Sequence, residues 1–570
     1  MEAVKRKPRN FIPENFIVEN WEQLQPYFEK LFLQEINSTE ELLLWLKNRS
    51  ELESAVDEDY RWRYIRLTCD INSAEIKQAH EYFVTEIQPH LIEYREKLNK
   101  KFITHPLSQK LDKQVYGTLI NGINNSLKLH EEENIELLTA LELKQQEYQG
   151  ISGNMTIQYK DNEYTLPQAV NFLYENDRTV REEVYHLIAQ RRLNDKEKLN
   201  DLYSDLIQKR NELATKAGFS NYRDYKFTEL NRNDYTADDC FQFHEAIKKE
   251  VLPLYEIFLN DKKKALGVDT LRPWDVDVIE GNQQPLKPFT DGEDLIKKTS
   301  NCFHEIRPFF ADCLQVMKTM GHLDLESRKG KAPGGYNMTM PEIGVPFIFM
   351  NAASSLSDMV TMLHEGGHAI HSFLCKDLAL KEFKDVPSEI AEVASMSMEL
   401  ISMEHWEIFF ENKEDLRHAK QQQIKRVIHI LPWVATIDKF QHWVYTNPNH
   451  TLEQRKTEWT KIFFEFSSSA IDYSGLDENI AYRWQSQLHL FEVPFYYIEY
   501  AIAQLGAIAM WKQYKEQGDV AIDNYIKALS MGYSKSLPEL YKAAGIQFDF
   551  SQNYISELVK FLKKEYEALH

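Results

Sequence analysis

Helix-breaking residues are rare in this chain, and that scarcity constrains its fold more than any other feature. Only 20 glycines and 19 prolines occur in 570 residues, about 7% where average usage would give roughly 12%. Long stretches are therefore free to stay helical, and the apolar residues recur accordingly. Over residues 21–98 they fall at helical intervals, as in Leu24, Tyr27, Phe28, Leu31 and Phe32, with charged residues between them. The spacing of Leu199, Leu202, Tyr203, Leu206, Ile207, Leu213, Ala214 and Ala217 predicts a long helix over 198–217, with Gly218 placed to end it. Interruptions are few. Residues 155–166 alternate apolar and polar around Asp161 and Asn162, the pattern of a short β-hairpin, and Pro167 suits the first turn of the next helix. Residues 278–291, with Gly281, Pro285 and Pro288, read as a loop, and helical periodicity resumes over 295–320. Gly334 and Gly335 open the one clearly non-helical stretch, where 336–340 and 345–350 read as two strands and 351–357 as the lead-in to a helix. From Ser357 onward the chain reads almost wholly helical. The expected fold is mainly α, a large helical body with a small β-sheet, divided into an N-terminal helical region at 1–180 and a second domain at 181–570.

Charge and cysteine usage narrow the function. The formal net charge is −21, with a pI near 5.4 and no basic stretch, which disfavours non-specific binding to nucleic acid or anionic membrane. Hydrophobic content of 43% and charged content of 27% are ordinary for a soluble globular chain, and no window approaches the roughly 18 apolar residues of a membrane span. The five cysteines are Cys69, Cys240, Cys302, Cys313 and Cys375. They are odd in number and widely spaced, so neither a disulfide framework nor a Cys-x-x-Cys zinc site is indicated. The opening residues lack the apolar stretch of a secretory signal, and the chain reads as cytoplasmic.

The chemistry concentrates at His364-Glu365-Gly366-Gly367-His368, an H-E-x-x-H motif at the expected start of a helix, with Ser357 or Asp358 able to cap it. Composition alone would produce such a motif roughly 0.09 times in this chain. Histidines four apart lie one turn apart and can share one Zn²⁺, and the intervening glutamate is directed at the metal's open position. There it can act as general base on a water whose pKa the metal has lowered from about 15.7 towards 7, the machinery of peptide hydrolysis. Two glycines in mid-helix cost about 1 kcal/mol each relative to alanine and point to the close approach of another element. A third ligand is required, and a carboxylate from another helix is one solution. A third histidine at position 374 would mark the metzincin type, but that position is Leu374. Asp385, Glu389, Glu392 and Glu399 remain. Pro387 and Ser388 suit a helix start that would set Glu392 and Glu399 on one face, and spacing alone does not choose among the four.

HEGGHAIHSF, followed by Glu392-Val393-Ala394-Ser395, resembles the thimet oligopeptidase and oligoendopeptidase F family of zinc metallopeptidases. GGYN before PFIFMN, RNELATKAGFSNYRDY upstream and HLFEVPFYYIEYAIAQLG downstream extend the likeness over roughly residues 150–560. The resemblance implies a helical metallopeptidase with a deep substrate cleft that cleaves internal bonds of short unstructured oligopeptides. It implies one zinc per chain on His364, His368 and Glu392, Glu365 as general base and Glu399 orienting an imidazole. It also implies that His489 and the tyrosines Tyr496 and Tyr497, with Tyr500 as a further candidate, bind substrate and stabilise the transition state; the alternative reading of that segment is a buried aromatic helix with Glu492 and Glu499 facing out. His371, one turn beyond His368, reads as packed, with a supporting role to the metal ligands as the alternative. The strand over 345–350 either offers an edge to an extended peptide or simply supports the helix. A competing exopeptidase would need a cation for the substrate's terminal carboxylate, and Arg328, Lys329 and Lys331 are the candidates.

Overall fold

The computed structural model describes residues 4–278 and 285–569; Gly281 of the expected loop lies outside the described residues. The described chain is mostly helical, with one two-stranded and one three-stranded sheet, as the scarcity of breakers predicts. It separates into two compact units, each assembled from three stretches of chain. One comprises Met1–Leu127, Leu286–Ala419 and Ile502–Phe548, and the other Lys128–Pro285, Lys420–Ala501 and Asp549–His570. This partition differs from a division at residue 180, which falls inside the helix Arg178–Asn194. No described helix is long and apolar enough to cross a membrane. The strands are β1 (Thr156–Tyr159), β2 (Asn162–Thr165), β3 (Leu323–Glu326), β4 (Tyr336–Met338) and β5 (Phe347–Ala352).

In the first unit the sheet order is β3-β5-β4, with β5 parallel to β3 and antiparallel to β4. The strand expected over 345–350 is therefore central, and an extended peptide cannot add to it along the paired residues because Ile348 has Leu323 on one side and Asn337 on the other. Its buried run Phe347, Ile348, Phe349 and Met350 is apolar on both faces, as a covered central strand requires. β3 was not anticipated; Gly321 at φ 70° ends the preceding helix and lets the chain turn into it. The stretch read as one helical period over 295–320 is two helices, Gly292–Ile306 and Pro308–Met320, with Pro308 opening the second.

The N-terminal helices brace this sheet. The long helix Thr39–Cys69, capped by Ser38, sets Ile65 against Met340, Phe347 and Phe349. Glu58 of the same helix accepts the backbone N–H groups of Glu342 and Ile343 at 2.8 and 2.9 Å. In the second unit β1 and β2 form the expected hairpin, but Tyr159 pairs with Asn162, so the turn is Lys160-Asp161, one residue earlier than expected, with Lys160 at φ 55°. The long helix Lys196–Lys216 ends as predicted at Gly218, φ 79°, where the Phe219 N–H reaches back to the Ala214 carbonyl at 2.9 Å.

Candidate metal centre

The motif helix runs Leu356–Cys375. Its cap is Ser355, two or three positions before the expected Ser357 or Asp358. Asp358 instead closes a capping box, accepting the Ser355 N–H at 2.9 Å while the Ser355 hydroxyl accepts the Asp358 N–H at 3.1 Å. Within the helix the His364 and His368 rings stand 4.9 Å apart at 85°. The two glycines between them are explained by what lies against each. A Cβ at Gly366 would come within 2.6 Å of the Phe303 ring, and one at Gly367 within 2.6 Å of Ser395 Cα and 2.7 Å of the Ala394 carbonyl oxygen. Gly367 is thus where the motif helix touches the helix Ser388–Ile401 backbone to backbone, and the small residues Ala394 and Ser395 allow it. Tyr525 fixes the same spot by donating its hydroxyl to the Ala394 carbonyl at 2.8 Å.

That close contact decides which acids reach the histidines. Glu392 Oε2 lies 3.3 Å from His364 Nε2 and 3.9 Å from His368 Nε2, and Glu399 Oε1 lies 2.7 Å from His364 Nδ1. His364, His368 and Glu392 each offer one donor atom, all within 4.8 Å of one another. Asp385 pairs with Lys381 and Arg61 instead, and Glu389 is buried at the helix start outside this donor set. Burial works against a charged His364, but hydrogen bonds to Glu392 and Glu399 overcome it and raise its pKa well above the usual value. Burial and the neighbouring His364 push His368 down to about 4. Glu365 is pushed up to about 7 by burial, with His364 opposing and Glu392 and Glu399 adding to the shift. His371 is buried, its Nε2 has no hydrogen-bond partner, and burial with repulsion from His368 lowers it to about 3.

His489, Tyr496, Tyr497 and Tyr500 gather in the second unit. The His489 ring lies 4.5 Å from Tyr497, 6.5 Å from Tyr496 and 6.1 Å from Tyr500. Trp433 donates its indole N–H to Gln487 Oε1 at 2.9 Å, and Gln487 donates to His489 Nδ1 at 2.7 Å. This leaves the proton of a neutral His489 on Nε2. Burial lowers His489 to about 4 and raises Tyr497 to about 12, so the imidazole is neutral and the phenol protonated at pH 7. Residues that sequence reading passed over hold this segment. Arg210 donates to the Leu490 carbonyl at 3.0 Å and also to that of Phe491. Arg232 pairs with Glu499 at 2.9 Å, so Glu499 is buried and paired and does not face out. Phe495 sits at φ 64°, an uncommon state for an aromatic residue, with its N–H held by Gln441 Oε1 at 2.6 Å. The signal available in the sequence was only that Arg210 falls on the buried stripe of its helix.

Two of the three cations considered for a terminal carboxylate are engaged elsewhere. Arg328 grips Asp324 through both guanidinium nitrogens at 2.6 and 2.8 Å. The buried ammonium of Lys331 is shared among Asp324 and the carbonyls of Asp324, Glu326 and Met350.

The sequence profile of Peptidase family M3 matches residues 171–560, and that of the Peptidase M3 N-terminal domain matches residues 11–130. Among curated proteins the chain is 22% identical over 395 residues to Oligopeptidase PepF of Bacillus subtilis (strain 168), covering 68% of this chain and 57% of that protein. It is 24% identical over 392 residues to an oligoendopeptidase F homolog of Borreliella burgdorferi, covering 65% of this chain and 61% of the relative. The chain thus spans less than two thirds of these relatives' lengths. Among solved structures it superposes on PZ peptidase A with inhibitor 2 with a TM-score of 0.87 at 26% identity, covering 97% of this chain and 99% of that one. Oligoendopeptidase F from Enterococcus faecium shares the fold with a TM-score of 0.65 at 14% identity, covering 96% of this chain and 97% of that one.

Proposed function

We propose, on the premise that the chain belongs to peptidase family M3, that it is a zinc-dependent endopeptidase cleaving internal bonds of short, unstructured oligopeptides. The observation that carries this reading is the convergence of His364, His368 and Glu392 from two touching helices onto one point. The donor set fits the metal. It supplies two imidazoles and a carboxylate, the usual composition of a hydrolytic zinc site, and Glu365 Oε2, one residue past His364, is buried without a hydrogen-bond partner. Zinc held there would act as a Lewis acid on the scissile carbonyl and lower the pKa of water.

The chain's own residues supply the rest. Glu365, raised towards 7, can take a proton from the attacking water at neutral pH and return it to the leaving amine. Glu399 accepts from His364 Nδ1, which leaves Nε2 free to bind the metal. His489, with its proton on Nε2, and the phenols of Tyr496 and Tyr497 are the proposed donors to the substrate and its developing oxyanion, as the family resemblance implies. The five unpaired cysteines suit a reducing location, and we place the enzyme in the cytoplasm.

Incubation with a mixed library of short peptides, followed by mass spectrometry of the products, tests the reading. Internal cleavage that a chelator stops and zinc restores is expected, with a stably folded domain left intact. Release of single residues or dipeptides from C-termini alone would replace the endopeptidase with an exopeptidase, and an unchanged library with metal bound would end the peptidase reading. Glu399→Gln should weaken metal affinity about 10–100-fold, read by competition with a chromophoric chelator; unchanged affinity would remove Glu399 from the metal's support.

A further inference from the structure

A second cluster of metal-binding side chains lies in the second unit, away from the motif helix in sequence. Cys240 and His244 stand four apart on the helix Ala237–Ala246, and Asp438 and His442 stand four apart on the helix Lys413–Thr446, so each pair shares a helix face. Cys240, His244, Asp438 and His442 are exposed by only 1%, 1%, 0% and 3%. The donor atoms of Cys240, Asp438 and His442 all lie within 4.8 Å of one another, the separation that His364, His368 and Glu392 also meet; among the described residues these are the two such sets.

The polar atoms of this cluster are under-satisfied. His244 Nε2 lies 2.8 Å from Asp438 Oδ2, and His442 Nε2 lies 3.3 Å from the same oxygen without making a hydrogen bond. Asp438 Oδ1, His244 Nδ1 and both ring nitrogens of His442 are buried with no hydrogen-bond partner. Native proteins seldom leave buried polar atoms unpaired, and four in one cluster call for a ligand. Among the described residues the ion-pair partners of Asp438 are the two imidazoles, with no lysine or arginine. The rings of Phe241, Phe495 and Phe227 lie 4.8, 5.3 and 5.9 Å from that of His442, and the charges of Arg232 and Lys439 reach Cys240 and His244 from the cluster's margin.

We propose that Cys240, Asp438 and His442 bind a second metal ion, a borderline divalent cation such as Zn²⁺, with His244 orienting Asp438 through Oδ2. The charges balance. Cys240 gives its thiol proton to solvent as the metal–sulfur bond forms, and one thiolate and one carboxylate neutralise a dication, which makes the complex suitable for an apolar interior. Cys240 and Asp438 are 198 residues apart in the chain, so the ion would tie distant segments together, a stabilising role and not a catalytic one.

Co²⁺ distinguishes this site from the first, because only this one contains a thiolate. The chelator-treated full-length protein is titrated with Co²⁺, and metal is also counted by elemental analysis of the protein as purified. The expected result is two metal equivalents per chain and a near-ultraviolet sulfur-to-cobalt charge-transfer band. Cys240→Ser should lose the band and one equivalent, whereas His368→Ala should lose the other equivalent and keep the band. A single equivalent in the wild type and none in His368→Ala would overturn the proposal, as would a band that survives in Cys240→Ser. If Cys240→Ser does not fold, His368→Ala decides alone, since one retained equivalent with the band supports the site and none removes it. The outcome is independent of peptidase activity, so its failure and the failure of the functional reading are separately visible.

Discussion

Glu365→Gln is expected to slow peptide hydrolysis by about 10²–10⁴-fold, the range that a general base contributes, while metal content stays at the wild-type level. The amide keeps the shape of the carboxylate but cannot accept and return the proton. Glu365 is not in the donor set of His364, His368 and Glu392, so its neutral replacement leaves the metal's ligands in place. The environment is built for a proton carrier, because burial pushes this carboxyl up to about 7, with Glu392 and Glu399 adding to the effect against His364. Steady-state kinetics on a short peptide, with metal counted on the same preparation, checks both halves. A variant as fast as the wild type would remove Glu365 from proton transfer, and a variant that lost its metal would make it a ligand.

Gly367→Ala should destabilise the first unit although helix propensity alone predicts the reverse. Alanine gains about 1 kcal/mol over glycine in a helix interior. Against this, the new Cβ would lie 2.6 Å from Ser395 Cα and 2.7 Å from the Ala394 carbonyl oxygen, both backbone atoms that cannot turn aside. Overpacking of this kind costs about 1–3 kcal/mol, and the helices must move apart, taking Glu392 away from His364 and His368. We expect a lower apparent Tm and weaker metal retention, both measurable by thermal denaturation with and without chelator. Gly366→Ala meets the far end of the Phe303 side chain where Gly367→Ala meets backbone, and should be the milder of the two. A Gly367→Ala protein more stable than the wild type would show that the contact is looser than described.

What could be read from the sequence was local. His364 and His368 are four apart, and a helix places them together whatever surrounds it. The paired glycines announced a close neighbour, and the structure supplies two, Phe303 and the Ala394-Ser395 backbone. Glu392 was harder, because no periodicity connects it to residues 24 and 28 positions earlier; four acids remained open on spacing, and resemblance chose among them. The structure brings Glu392 and Glu399 to the histidines and leaves Asp385 with Lys381. Strand pairing was not legible. Residues 323–326 are too short to show alternation against the helical background, and without them an edge strand and a buried supporting strand over 345–350 read alike. Cys240 and Asp438 were passed over for a related reason, since two half-sites on separate helices carry no joint signature until the helices meet.

The first unit takes its parts from three separated stretches of chain, ending at Phe548. Tyr525, which clasps the Ala394 carbonyl beside the glutamate helix, belongs to the last of them. The completed motif helix ends 150 residues before Tyr525, so at about 5–20 residues per second of translation it waits roughly 8–30 s on the ribosome before this clasp is synthesised. Assembly of the metal-binding face is therefore a late event in the life of the nascent polypeptide. A premature stop between the glutamate helix and Tyr525 would yield a chain that contains every residue of H-E-x-x-H and Glu392 yet lacks the element that pins their two helices together.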